Sequence, residues 1–122
     1  MILLEHLQDQ NILAITPQGP LEQSDFETIA KALDPIVVSR GSLTGLMINM
    51  QSFQGWRNVA AFVAHMKFVA GHHRKIERIA AMTNSSFLKI IPGIAGHLLH
   101  PEIRSFGLSQ RTRALSWLAT GR

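Results

Sequence analysis

Leu43-Thr44-Gly45-Leu46-Met47-Ile48-Asn49-Met50 decides the fold. This run carries no formal charge, and it is bounded by Arg40-Gly41 on one side and by the turn-forming stretch 51–55 on the other. It reads as a buried strand. Upstream, Ser24-Asp25-Phe26-Glu27 has capping-box spacing, and Phe26, Ile29, Ala30 and Leu33 follow at helical spacing. This predicts a first helix that Pro35 ends or tightens and Arg40-Gly41 closes. Further upstream, residues 1–8 and 11–16 are apolar runs separated by Asp9-Gln10-Asn11, a β-hairpin pattern, and residues 17–20 break it.

Downstream, Gln51–Gly55 is expected to be a loop. A second helix is expected from Trp56 to about Gly71, with Trp56, Val59, Ala60, Val63 and Met66-Lys67 as its inner stripe. Ile76–Thr83 reads as a strand. Ser85 or Ser86 caps a third helix from Phe87 that Pro92-Gly93 interrupts. Glu102–Phe106 is a short last strand, and Ser109 caps a last helix carrying Ala114, Leu115, Trp117 and Leu118. The order β-β-α-β-α-β-α-β-α predicts one α/β domain over residues 1–122. Its sheet should be mixed and mostly parallel, of about five strands, flanked by helices.

Composition narrows the function. The 122 residues are 46% hydrophobic and 16% charged, which suits a globular core rather than a disordered chain. Cysteine is absent, so a disulfide framework, a thiolate metal site and a cysteine nucleophile are excluded. The first residues lack a basic n-region and no run of 18 or more apolar residues occurs, so a soluble, cytoplasmic protein is expected. Charge is uneven: residues 1–61 hold six acids and three bases, residues 62–122 two acids and nine bases. One surface should therefore favour an anionic partner. Nucleic acid is not the partner expected, because the bases are dispersed and tyrosine is absent.

Several local words resemble the SpoIIAA-like family, small bacterial proteins related to STAS and, more distantly, CRAL-TRIO domains. They are Phe53-Gln54-Gly55-Trp56 opening a helix, Lys67-Phe68, and His72-His73 followed by Ile76-Glu77-Arg78-Ile79-Ala80. Arg104-Ser105-Phe106 then precedes a helix with Ala114 and Trp117-Leu118. The resemblance implies the STAS-like sheet, a regulatory or ligand-binding role, and an apolar or lipid ligand. It also implies a phosphorylatable serine in the turn after the central strand. Ser52 is the hydroxyl there, but Gln51 precedes it where the anti-sigma-factor antagonists carry an aspartate.

The residues themselves show no catalytic signature, cofactor motif or metal-ligand spacing. The six histidines read as surface or helix-end residues, and a non-enzymatic protein is expected without a cofactor. The informative stretch is Phe87–Leu99, which holds a single charge, Lys89, in thirteen residues. A helix packed by one face needs a polar outer face, so a subunit, an apolar ligand or a membrane must cover this one. The second helix likewise carries more apolar area than one sheet face hides. The expected ligand site is a cleft between these helices with Trp56, Phe62, Met66, Lys67, Phe87, Lys89, Ile91 and Ile94. Its ligand would be an apolar, anionic, lipid-like molecule, or the cleft would lie on a membrane surface. The rival reading is a STAS-type module for a protein partner, acting through the Ser52 turn and the second helix. A homodimer burying the third helix fits either.

Overall fold

Alternation along the second strand divides the interior. Leu13 and Ile15 point to one side of the sheet and Ile12 and Ala14 to the other, and all four are buried. The computed structural model describes residues 1–51, 53–84 and 101–122. The expected third helix, with Phe87, Lys89, Ile91 and Ile94, and Ser52 both lie outside the described residues. The hairpin is β1 (Ile2–Leu7) and β2 (Ile12–Pro17), antiparallel, with Leu7 opposite Ile12 and Ile2 opposite Pro17. Its turn closes on Asn11, a left-handed residue with φ 55°. The Asn11 side-chain Nδ2 donates to the Ser42 carbonyl (2.8 Å) and Thr44 Oγ1 (3.2 Å), tying the hairpin to the next strand.

After a short strand β3 (Gly19–Leu21) comes α1 (Gln23–Arg40). The capping frame lies two residues earlier than the sequence suggests. The Glu22 amide donates to Asp25 Oδ2 (2.8 Å), and Asp25 also holds the Met1 ammonium (3.2 Å). Asp25 is buried whereas Ser24 and Glu27 are exposed, so the tertiary contact selects the frame. Pro35 does not end the helix. Lys31 and Pro35 are both on its exposed side, where water can bond the carbonyl that the proline leaves without a partner. Gly41, at φ 86°, closes the helix with its N–H on the Val37 carbonyl (2.8 Å).

Strand β4 (Leu43–Asn49) runs parallel to β2 and to β6 (Ile76–Met82), and β7 (Glu102–Phe106) runs parallel to β6. The sheet order is β1-β2-β4-β6-β7. Residues expected to be loop and helix start instead form β5 (Phe53–Trp56), which pairs in parallel with β3 as a separate two-stranded sheet. Helix α2 (Val59–His72) therefore begins after Trp56, with Asn58 Oδ1 accepting the Ala61 amide (2.9 Å) as its cap. The C-terminal helix α3 (Arg111–Thr120) starts after Gln110, whose side chain turns back to the Gly107 amide, so Ser109 is not its cap.

Two cores result. Leu13, Ile15, Leu43 and Leu46 meet Phe26, Ile29, Leu33 and Ile36 of α1 on one face, with Ala64 and Phe68 of α2 at the margin. On the other face Ile12, Ala14, Met47, Ala80 and Phe106 meet Ala114, Trp117 and Leu118 of α3. The mixed, mostly parallel five-stranded sheet flanked by helices is the architecture expected from the sequence.

Candidate functional site

Helix α2 is apolar on both sides. At 100° per residue, Ala61, Ala64, His65, Phe68 and His72 share one face, which lies against α1: Ala61 is buried, the ring of His65 stacks on Phe26 at 4.9 Å, and His72 Nε2 meets Asp34 Oδ1 at 2.9 Å. Val59, Phe62, Val63, Met66 and Val69 share the opposite face and are between 42% and 78% exposed. The stripe read as inner from the sequence is thus the outer one. Its residues do have helical spacing, but so do those of the opposite face, and spacing alone does not orient a helix that is apolar all round.

Trp56 joins this outer face from β5. The residue is 37% exposed and its indole stands edge-on to Phe62, with ring centroids 5.1 Å apart. Its Nε1–H donates to His65 Nδ1 at 3.1 Å. Accepting that bond requires a neutral imidazole with its own proton on Nε2. Burial lowers the His65 pKa from 6.5 and so favours the same form. Phe26, His65, Trp56 and Phe62 make one continuous aromatic line from the core to the surface.

Charge frames the face. Helix α2 contains no acidic residue, Lys67 is exposed beside Met66, and Arg74 and Lys75 are exposed just after the helix ends. Arg57, at the opposite end, is paired with Glu22. A polar groove of about 440 Å³ runs between the starts of α1 and α2, lined by Glu22, Gln23, Ser24, Glu27, Arg57 and Asn58. Two carboxylates and the Glu22–Arg57 pair make it unsuited to an apolar ligand.

Of the expected ligand residues, the fold brings together Trp56, Phe62 and Met66, with Lys67 at their border, on the exposed face of α2. The remaining four lie outside the described residues. Val59, Val63 and Val69 belong to this surface, and His65 lies behind Trp56, bonded to its indole; sequence reasoning missed all four as site residues. Val59 and Val63 read as inner-stripe residues from the sequence, and His65 reads there as one of six ordinary histidines. Among the described residues no cluster of three potential metal ligands occurs, and no helix is long and apolar enough to cross a membrane.

Three comparisons bear on this geometry. A family model, SpoIIAA-like, matches residues 12–119. Among curated proteins no match is found. Among solved structures, an uncharacterised protein with a SpoIIAA-like fold from Shewanella loihica PV-4 is 22% identical. The match covers 97% of this chain and 92% of that one, with a TM-score of 0.75. The Bacillus cell fate determinant SpoIIAA in its phosphorylated form is 15% identical over 93% of this chain and 97% of that one, at a TM-score of 0.50. At these identities the likeness establishes the fold.

Proposed function

The chain belongs to the SpoIIAA-like family, and within the regulatory or interaction role which that membership supports, we propose that it is a non-enzymatic domain that attaches to an apolar, anionic, lipid-like surface through the outer face of α2. The observation that carries the reading is the exposed row of Val59, Phe62, Val63, Met66 and Val69 with Trp56 at its end. A valine-, phenylalanine- and methionine-bearing helix face, bordered by lysine and arginine and capped by an amphipathic indole, suits the boundary between lipid headgroups and acyl chains. As an exposed row along one helix, it fits a membrane surface. The sequence reading would add Phe87, Lys89, Ile91 and Ile94 to this surface, and the proposal rests on the described residues.

Vesicle co-sedimentation tests it. Vesicles containing phosphatidylglycerol should bind the protein and neutral phosphatidylcholine vesicles should bind it weakly. Met66→Asp should weaken binding about tenfold or more by placing a charge in the apolar contact. Lys67→Glu should weaken it severalfold, since each cation near an anionic surface contributes about 1 kcal/mol. Undiminished binding of M66D, or equal binding to both vesicle types, would sink the proposal.

A second reading follows from the likeness to phosphorylated SpoIIAA. In it the chain is a partner-binding module switched at Ser52. Gln51 stands where the resemblance puts an aspartate, which weighs against it. Intact-mass analysis of protein purified from its native cells decides: an added phosphate lost in Ser52→Ala favours this reading, and an unmodified mass with intact vesicle binding favours the first.

A further inference from the structure

Strand β1 ends the five-stranded sheet at the side opposite β7, with β2 as its one neighbour there. Two observations fix which of its backbone groups are turned outward. The Gln18 amide donates to the Met1 carbonyl at 2.7 Å, and Pro17, which has no N–H, stands opposite Ile2. Bonded and non-bonded pairs alternate along an antiparallel ladder, so Leu3, Glu5 and Leu7 exchange bonds with β2. Ile2, Leu4 and His6 therefore direct their N–H and C=O groups away from it. We propose that this edge seats a second copy of the chain, the two β1 strands pairing antiparallel about a two-fold axis through Leu4.

Strand β1 lacks the devices that keep sheet edges apart. It has no proline, its register with β2 runs unbroken from Ile2 to Leu7, and its one carboxylate, Glu5, is held by Arg111 at 3.1 Å. Met1 and Leu3 are 65% and 50% exposed along it. The edge strand β7, by contrast, carries exposed Glu102 and Arg104. A like strand fits β1 in one register. Outward groups must meet outward groups, which limits where the axis can fall. An axis through Glu5 sets that carboxylate against its own copy, and one through Leu3 leaves His6 with no strand residue opposite. Through Leu4, Ile2 meets His6 of the other copy, Leu4 meets its equivalent, and Leu3 stands beside the other Glu5 in the non-bonded position. Residues directly opposite share one face of a sheet, so α1 and α2 of both copies lie on the same side of the joined sheet. Resting on the function proposed above, such a dimer presents two α2 helices on one side and attaches bivalently.

The test begins without lipid. Sedimentation velocity follows the full chain from low micromolar to near-millimolar concentration. The 13.5 kDa monomer should give way to a dimer, and a monomer throughout overturns the proposal. Half-exposed Leu3 then reads the register. Leu3→Glu faces Glu5 of the other copy and should weaken dimerisation severalfold, whereas Leu3→Lys faces the same carboxylate and should preserve it. Equal weakening by both overturns this pairing. The chain has no cysteine, so Leu3→Cys and Glu5→Cys proteins can be mixed and oxidised. Non-bonded positions of an antiparallel pair bring Cα atoms to about 4.5 Å, within the reach of a disulfide. The mixture should cross-link far more than either protein alone, and no excess overturns the axis through Leu4. The linked dimer should bind phosphatidylglycerol vesicles about tenfold or more tighter than the same mixture reduced and diluted. Equal binding overturns the bivalent attachment. A linked dimer that binds no vesicle leaves the pairing standing and removes the membrane reading.

Discussion

Burial biases His65 toward its neutral form, and that has a cost measurable in stability. Desolvation by burial lowers its folded pKa from 6.5. Below about pH 6.5 the unfolded chain takes up a proton at this position that the folded chain refuses. The unfolded state then binds more protons, and stability falls as pH falls. Above the unfolded value neither state is protonated here and the contribution is flat. Urea unfolding across this range should therefore show wild type losing stability on acidification faster than H65Q. Parallel losses would mean that other groups carry the pH dependence. None of this was legible in the sequence, where His65 is one of six histidines. Its role depends on Phe26, 39 positions earlier, and on Trp56 being in a strand.

At the scale of elements, Gly45 governs how closely α3 approaches β4. A Cβ built on Gly45 would lie 2.8 Å from Leu118 Cβ and 3.0 Å from Leu118 Cδ2, so a methyl there collides with a buried side chain of α3. Gly45→Ala should destabilise the protein by about 1–3 kcal/mol, the usual range for overpacking, read as a lower urea midpoint. An unchanged midpoint would show that α3 can shift outward freely. The strand holding Gly45 was legible from its uncharged run, as were the hairpin, α1, β6 and β7, because burial on a sheet leaves a compositional trace. The pairing of β3 with β5 was not. Gly19-Pro20-Leu21 and Phe53-Gln54-Gly55-Trp56 look like breakers and loop, and only their meeting 34 positions apart makes them strands. The start of α2 moved for the same reason, since Trp56 is committed to β5.

Across the whole molecule, the described bases of the second half include two groups that sequence counts merge. Arg78 donates to the Leu118 carbonyl, Arg104 lies over the Trp117 ring and Arg111 pairs with Glu5, so these three serve the α3 side. Lys67, Arg74 and Lys75 are exposed around the α2 face. The candidate site thus occupies a surface that the cores do not use, and fold and attachment should be separable by mutation. Val63 is 42% exposed on the outer face, whereas Phe68, on the same helix, packs against the α1 core and stacks on His72 at 4.2 Å. Val63→Gln should change unfolding free energy by no more than about 0.5 kcal/mol while weakening binding to phosphatidylglycerol vesicles. Phe68→Ala should cost roughly 2 kcal/mol, less than the ~3–5 kcal/mol of a fully buried phenylalanine. If V63Q destabilised as much as F68A, the outer face would be part of the fold's own core, and its apolar character would need no ligand to explain it.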